Sequence, residues 1–469
     1  MIVHKFGGTS VGDARCFAQV ADIIAGCKSR EETVVVVSAM SGVTSQLIAG
    51  ARAAAEGDNA VYRDVRMNLL GRHLEVLETA LASGAEKDEA KRWVEGRLYD
   101  LERLCGSISV LGELTVRGAD AVASFGEQLS SFILAAVLRD RGVPAQRVSA
   151  TEVIVTDDAF GRATPLPGPT ERRLKERIVP LLERGIIPVL TGYIAATEQG
   201  VTTTLGRGGS DYTAALVGAG LGADQVWIWS DVNGILTADP SIVAEATTIS
   251  ELSYQEAAEL AYFGAEVLHP KTIRPLTEKQ IPLRLLNTFN PEHPGTLIVS
   301  APRPERRRLP AIISSCGLTM IAVGTVDDSW TLQMSAKALQ LLSDAGVEVM
   351  MFSQSFSEHS LNLVVAEQNQ AHSLGRLRRE FVDERTYSLG CRERVAIVSA
   401  VGVPQWNGGH IVSHVFAALG KGGTRVIAVA QAATEYSVSF CIPEEQLEGT
   451  VRFLHHELGL GVRDLREQG

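Results

Sequence analysis

The sequence predicts an α/β protein: a mainly parallel central sheet with helices on both faces, followed by two small C-terminal α+β modules. Three observations carry this prediction. Short β-branched runs alternate with segments whose apolar residues recur at helical spacing. A stretch rich in proline and arginine interrupts that alternation near residue 300. Beyond the interruption, one strand-bearing pattern occurs twice.

In chain order, Met1 to Phe6 reads as a strand. Phe17, Val20, Ile23, Ile24 and Cys27 fall on one helix face. Val34 to Val37 is a buried-strand run ending at Ser38-Ala39-Met40-Ser41-Gly42. Residues 60 to 140 read as mainly helical, either a lid or a helical insertion. Ile186 to Leu190 and Gln225 to Trp229 are further strands, each followed by turn residues. Residues 1–300 form the expected first domain. Ala301 to Pro310, with three prolines and four arginines, is the expected linker. The repeat then gives modules at 311–390 and 391–469. Its first copy runs from Ser353 through Gln354 to Val365, and its second from Ala430 through Gln431 to Ile442. The shared pattern is Gln, three residues, Glu, one residue, Ser, then a strand.

Composition narrows the class. The 469 residues carry 55 acidic and 44 basic side chains, for a net charge of −11, and 45% are hydrophobic. That is globular, and it argues against binding to nucleic acid or an anionic membrane. An anionic substrate would need a local positive site. No uninterrupted apolar run approaches the ~18 residues of a membrane span. The N-terminus lacks a signal-peptide core, and a cytoplasmic location is expected. Six scattered cysteines without a CxxC pair predict reduced, mostly buried thiols and no zinc site.

Four constellations carry candidate chemistry. Lys5-Phe6-Gly7-Gly8-Thr9-Ser10 runs from a strand toward a helix. Its glycines would let backbone N–H groups approach an anion, with Lys5 as a point charge on a phosphoryl oxygen. A plain tight turn is the other reading. Thr202 to Tyr212 places three glycines around Arg207, and Ser210-Asp211 opens a helix. Asp211 alone would serve as an N-cap, but a cap needs neither Arg207 nor the glycines. Trp229-Ser230-Asp231-Val232-Asn233-Gly234 ends a strand where parallel sheets bind ligands, or forms an Asx turn. Glu127 opens an apolar helix after Phe125-Gly126, where it either serves a site or complements the helix dipole.

Together these residues resemble aspartate kinase, of the amino-acid kinase superfamily. The matching pieces are Lys5 to Val11, Phe125-Gly126-Glu127, Thr203 to Tyr212, and Phe263 to Pro270, in family order. The repeat resembles that family's paired ACT domains, and its wording is similar to the kinase half of bifunctional aspartate kinase–homoserine dehydrogenases. The resemblance implies the three-layer amino-acid-kinase fold with two ACT-like modules. It implies ATP-dependent phosphorylation of the L-aspartate β-carboxylate to 4-phospho-L-aspartate, the first step toward lysine, threonine and methionine, with Mg2+ bridging phosphates. Carried over, Lys5 with Gly7 and Gly8 stabilises the moving phosphoryl group, and Asp211 orients Lys5 or substrate. Arg207 holds the aspartate α-carboxylate and Glu127 its ammonium, with Thr44 and Ser210 also on the substrate. Ser230 and Asp231 line the nucleotide site.

Three positions depart from the family pattern, all on the nucleotide side. Leu236 stands where relatives have Tyr, Ser241 where they have Arg, and Glu266 where they have Lys. The departures read as tolerated drift, as altered nucleotide or acceptor use, or as lost catalysis. Two other functions therefore stay open: a carboxylate kinase with another acceptor, and an amino-acid-sensing homologue of weak activity. In the repeat, Gln354 and Gln431 are expected to contact an amino-acid effector. The resemblance favours threonine over lysine, since in threonine-inhibited relatives these glutamines contact the effector; a Gln amide, with both a donor and an acceptor, suits an amino acid with a hydroxyl. The resemblance implies a homodimer or homotetramer joined through the ACT modules.

Overall fold

The computed structural model describes residues 1–469 except 29–30, 83, 263–267, 303–310, 327–328, 356–358, 382–385, 403–404, 407–408, 432, 434 and 462–469. The chain divides into two compact units. The first comprises Met1–Ile235, Ser250–Tyr254 and Val267–Arg303, and the second Leu236–Ile249, Gln255–Glu266 and Pro304–Gly469.

The first unit is built on an eight-stranded sheet. Its strand order is Ala145–Val148, Ile187–Thr191, Thr33–Val37, Ile2–Phe6, Gln225–Ser230, Leu283–Asn287, Thr296–Val299 and Glu251–Ser253. Neighbours are parallel except the antiparallel pair Leu283–Asn287 and Thr296–Val299. The two innermost N-terminal strands are fully buried, as continuous β-branched runs in parallel sheets are. A small second sheet pairs Val155–Thr156, Ile194–Thr197 and Thr202–Thr204.

The expected helical stretch is three long helices, Asn59–Ala80, Ala85–Leu111 and Val116–Asp140. They are neither lid nor insertion. Leu69, Leu77, Leu98 and Leu134 join Phe6, Phe17 and Val35 in one core. The third helix is long and apolar enough to cross a bilayer, yet 83% of its most apolar stretch is buried inside the protein. Arg117, Asp120, Glu127, Gln128 and paired serines break the apolar run in the sequence, while its Ala, Gly and Ser residues keep the helix slim enough to pack closely.

The second unit centres on a six-stranded sheet, ordered Val349–Ser355, Ser360–Ala366, Ala311–Thr325, Tyr387–Val401, Ser437–Pro443 and Ala428–Gln431. Each repeat copy is an edge hairpin of this sheet. The expected boundary at 390/391 is corrected here. Ala311–Thr325 and Tyr387–Val401 run continuously through both modules, with a register break between Ser315 and Leu318 at Gly317, whose φ is +67°. On one side of the break Ile321, Val323, Leu342, Leu363 and Leu377 form one core. On the other, Ile312, Val398, Val415, Phe440 and Leu454 form another. The first module is thus inserted between two strand halves of the second.

The expected 1–300 domain also differs from the contact-defined units. Ala238 and Val243 are buried in the second unit's core beside Ile312 and Phe440, which holds residues 236–249 there. Thr237 Oγ1 pairs with His455 Nε2 at 3.0 Å, and the Ile312 N–H donates to the Thr237 carbonyl at 2.8 Å. Most of the expected linker, 303–310, lies outside the described residues, as do Phe356–Glu358, Ala432 and Thr434 of the repeat. All six cysteines are free, but only Cys105 and Cys441 are buried. Cys316 and Cys391 are exposed on the two long strands of the second unit, where alternate residues face outward.

Candidate active site

Lys5, Gly8, Thr44, Glu127, Arg207, Ser210 and Asp211 line one cleft of about 600 Å³ in the first unit. Far apart in the sequence, they meet at the carboxyl end of the parallel sheet, where open α/β sheets place their ligands. Strand Ile2–Phe6 delivers Lys5 there. On the other face of that strand His4 and Phe6 stack on Trp229. Lys5 is 8% exposed, and its Nζ lies 2.5 Å from Asp211 Oδ1. Asp211 stands in the first turn of helix Gly209–Leu221, whose N-cap, Gly208, has φ +71°. A Cβ at Gly208 would also lie 2.5 Å from His269 Cβ, so glycine is required there on two counts. Arg207 precedes it and is exposed to the cleft's solvent.

Glu127 sits on the buried helix Val116–Asp140 and is itself 3% exposed. Gly126 brings it there: a Cβ at Gly126 would lie 2.6 Å from Ala39 Cβ. The helix can therefore press against the Ser38–Gly42 loop, and the Ala39 N–H donates to Glu127 Oε1 at 3.2 Å. Glu127 Oε2 is buried without a hydrogen-bond partner. Burial pushes the Glu127 pKa up to about 8, against the pull of the Ala39 N–H and of Lys5. Such a carboxyl lacks a cationic donor.

Gly7 and Ser230 lie side by side, since the Gly7 N–H donates to the Trp229 carbonyl at 3.1 Å. A Cβ on Gly7 would lie 3.6 Å from Lys5 Nζ, taking up space beside the ammonium that a phosphoryl oxygen would use. Asp231 is exposed at the same strand end. Leu236 and Ser241 belong to the second unit. Leu236 bridges Thr248, and Ser241 donates from both its N–H and its hydroxyl to Asp239 Oδ1 at 2.8 and 2.7 Å. Glu266 lies outside the described residues. Gln354 and Gln431 occupy the two edge strands of the second unit's sheet, half-buried and exposed respectively.

Sequence reasoning missed Tyr193 and Asp120. Tyr193 lines the cleft with φ +64°, rare for a non-glycine. Its N–H donates to Thr213 Oγ1, and its carbonyl accepts from Leu205. No sequence signal marks that backbone. Asp120 had one: it precedes Glu127 by two helical turns, on the same face.

Among the described residues, His4, Cys27 and Glu31 bring metal-ligand atoms within 4.8 Å of one another. However, Trp229 Nε1–H donates to His4 Nδ1 at 3.3 Å. Burial holds the ring neutral, with a pKa near 3, so its proton sits on Nε2, a tautomer set to donate there rather than to ligate.

The profile of the amino acid kinase family matches residues 1–287, and that of an ACT domain matches 398–458. Aspartokinase 1, chloroplastic, of Arabidopsis thaliana is 32% identical over 97% of this chain and 79% of its own length. A bifunctional aspartokinase/homoserine dehydrogenase of Zea mays is 32% identical over 99% of this chain, which spans about half (51%) of that relative. Among solved structures, E. coli aspartokinase III in complex with aspartate and ADP superposes with a TM-score of 0.81. It is 29% identical and covers 98% of this chain and 100% of its own. The same enzyme has been solved with lysine and aspartate, with the same TM-score at 28% identity.

Proposed function

The chain belongs to the amino acid kinase family, among its aspartokinases, and we propose that it transfers the γ-phosphoryl group of ATP to the β-carboxylate of L-aspartate. A β-carboxylate oxygen attacks the γ-phosphorus, the bond to the β,γ-bridging oxygen breaks, and ADP leaves with that electron pair. The product is an acyl phosphate, 4-phospho-L-aspartate. One observation carries the reading: a buried, unpartnered Glu127 Oε2 in the same cleft as Arg207 and the Lys5–Asp211 pair. An α-amino acid supplies what each lacks, an ammonium for Glu127 and a carboxylate for Arg207.

Lys5 has a second role. In the free protein it is neutralised by Asp211. A γ-phosphoryl group competes for the same ammonium, whose charge then stabilises the equatorial oxygens as bonding shifts. The Gly7 N–H is engaged by the Trp229 carbonyl, so the Gly8 amide and the N-terminus of helix Gly209–Leu221 add the fixed dipoles at this end of the sheet, and Gly7 contributes clearance beside Lys5. Mg2+ would be held mainly by phosphate oxygens and water, with Asp211 as the nearby carboxylate, and would neutralise charge on the polyphosphate. A cleft with so few carboxylates suits an ion that arrives with its nucleotide.

The second unit is the regulatory part of this proposal. Gln354 and Gln431, at matching places in its two edge hairpins, are its effector contacts. Threonine is the proposed effector and lysine the competing one. Calorimetry with both amino acids decides: lysine binding without threonine binding reverses the choice. For the reaction itself, ADP release is measured with ATP and L-aspartate, L-glutamate or no acceptor. Release that needs L-aspartate supports the proposal. Preference for L-glutamate, or no acceptor dependence, defeats it.

A further inference from the structure

From the geometry around Asp120 we infer that this residue, which takes no part in the chemistry proposed above, is a positioning residue that fixes the acceptor wall of the cleft. Its carboxylate is 3% exposed and gathers two separate chain segments. Oδ2 accepts from the Gly161 N–H at 2.8 Å and from the Thr204 N–H at 3.1 Å, and Oδ1 accepts from Thr204 Oγ1 at 2.7 Å. Gly161 itself lines the cleft. Thr204 ends strand Thr202–Thr204, directly before Leu205-Gly206-Arg207. The two segments also meet each other, since the Ala163 N–H donates to the Thr204 carbonyl at 2.9 Å.

The location of this knot gives it consequences for binding. Asp120 and Glu127 stand on one face of one buried helix, two turns apart. The helix therefore presents one carboxylate toward substrate and uses the other to anchor the loop that carries Arg207. The spacing between the proposed ammonium and α-carboxylate sites is then set by a single rigid element. A buried carboxylate surrounded by N–H and O–H donors is held tightly, and removing it orphans all three donors at once. Gly7 and Ser230, on the proposed nucleotide side, lie at the ends of other strands, and among the described residues the hydrogen bonds of Asp120 go to Gly161 and Thr204 alone.

The inference rests on the reading of Arg207 and Glu127 as acceptor ligands, so its test has one arm that does not need turnover. In Asp120→Asn the amide keeps the side chain's shape but loses the charge: its oxygen still accepts from the Gly161 and Thr204 N–H groups, now more weakly, and its NH2 faces the Thr204 hydroxyl, which must turn to accept. The expected result is a rise of about 20-fold in KM for L-aspartate, with KM for ATP within about two-fold and kcat within about three-fold. Thr204→Val, which removes the hydroxyl's bonds to Asp120 and to Tyr193 but leaves both N–H groups on Asp120, should raise the same KM about three-fold and add little to Asp120→Asn in the double variant. In the second arm, amide hydrogen exchange on Asp120→Asn should accelerate at Gly161 and at residues 204–209 and remain as in wild type along strand Ile2–Phe6. Parallel rises in both KM values, or exchange accelerated throughout the first unit, would mean a general structural role and overturn the inference. Wild-type protein inactive on L-aspartate would sink the proposed function instead, and the exchange pattern would still decide Asp120.

Discussion

The acceptor side of the cleft and the nucleotide-side segment at 230–241 are built on opposite principles. On the acceptor side the ionisable groups other than the exposed Arg207 are buried or paired: Glu127 at 3% exposure, Lys5 at 8% and in contact with Asp211, Asp120 enclosed by three donors. Along 230–241, Asp231 and Ser241 are exposed, and Ser241 closes a turn on Asp239. All three departures from the family pattern are at positions that the resemblance assigns to the nucleotide side, and none at those it assigns to the acceptor. A buried charge costs several kcal/mol unless its partners are kept, so each acceptor residue constrains the next. An exposed turn residue is constrained by little beyond its own backbone, and a change there leaves the rest of the site in place.

If that contrast is right, the largest effect belongs to Lys5→Ala. Steady-state kinetics should show kcat lower by about 10³-fold, several kcal/mol of transition-state stabilisation. The circular dichroism spectrum should remain that of the wild type. A variant that keeps most of its kcat would remove Lys5 from the chemistry and blur the difference between the two regions.

Glu127 gives the next largest. Its folded pKa of about 8 lies above the ordinary 4.5, so the folded protein holds a proton that the unfolded chain releases. The stability linked to that proton is full below about pH 4.5 and is lost as pH rises through about 8. Glu127→Gln, neutral at every pH, should therefore melt at a higher temperature than wild type at about pH 9, by a few degrees. Its KM for L-aspartate should nevertheless rise by about 30-fold, the loss of one charged hydrogen bond. In wild type the same KM should fall between about pH 6 and about pH 8.5, as the carboxylate that meets the ammonium forms. A flat pH profile would mean that Glu127 does not touch substrate.

Glu266→Lys tests the nucleotide side. If Glu266 stands beside the nucleotide, as the resemblance implies, two like charges at ~5 Å and an effective dielectric near 20 repel by about 3 kcal/mol before screening. Removing that repulsion should lower KM for ATP by about ten-fold, with little change in KM for L-aspartate. Reduced activity would instead give Glu266 a function of its own and favour an altered nucleotide or acceptor. Ser241→Ala should do least, changing either KM by less than about two-fold, because the hydroxyl is satisfied within its own turn.

The same contrast explains what the sequence could convey. The strands around Val3, Val35 and Ile228 were legible because burial on both faces demands continuous apolar runs, and the glycine-flanked Arg207 because few folds need that pattern. Gly126 was legible as part of a motif, but its reason, 2.6 Å of clearance from Ala39, exists only in three dimensions. Tyr193 acts through backbone conformation, which leaves no periodic trace; Asp120 shares a helix face with Glu127, but its hydrogen bonds to distant segments appear only in three dimensions. The nested modules were hidden for a related reason. A strand that serves two cores, such as Tyr387–Val401, reads as one strand, and only its partners reveal where one module ends.

The central claim is that this cleft phosphorylates a carboxylate. Hydroxylamine trapping with ATP and L-aspartate tests it directly, because an acyl phosphate yields a hydroxamate and a phosphate ester does not. The account predicts a β-aspartyl hydroxamate formed in step with ADP and absent with Lys5→Ala. ADP released without hydroxamate, or hydroxamate formed equally well by Lys5→Ala, would contradict it.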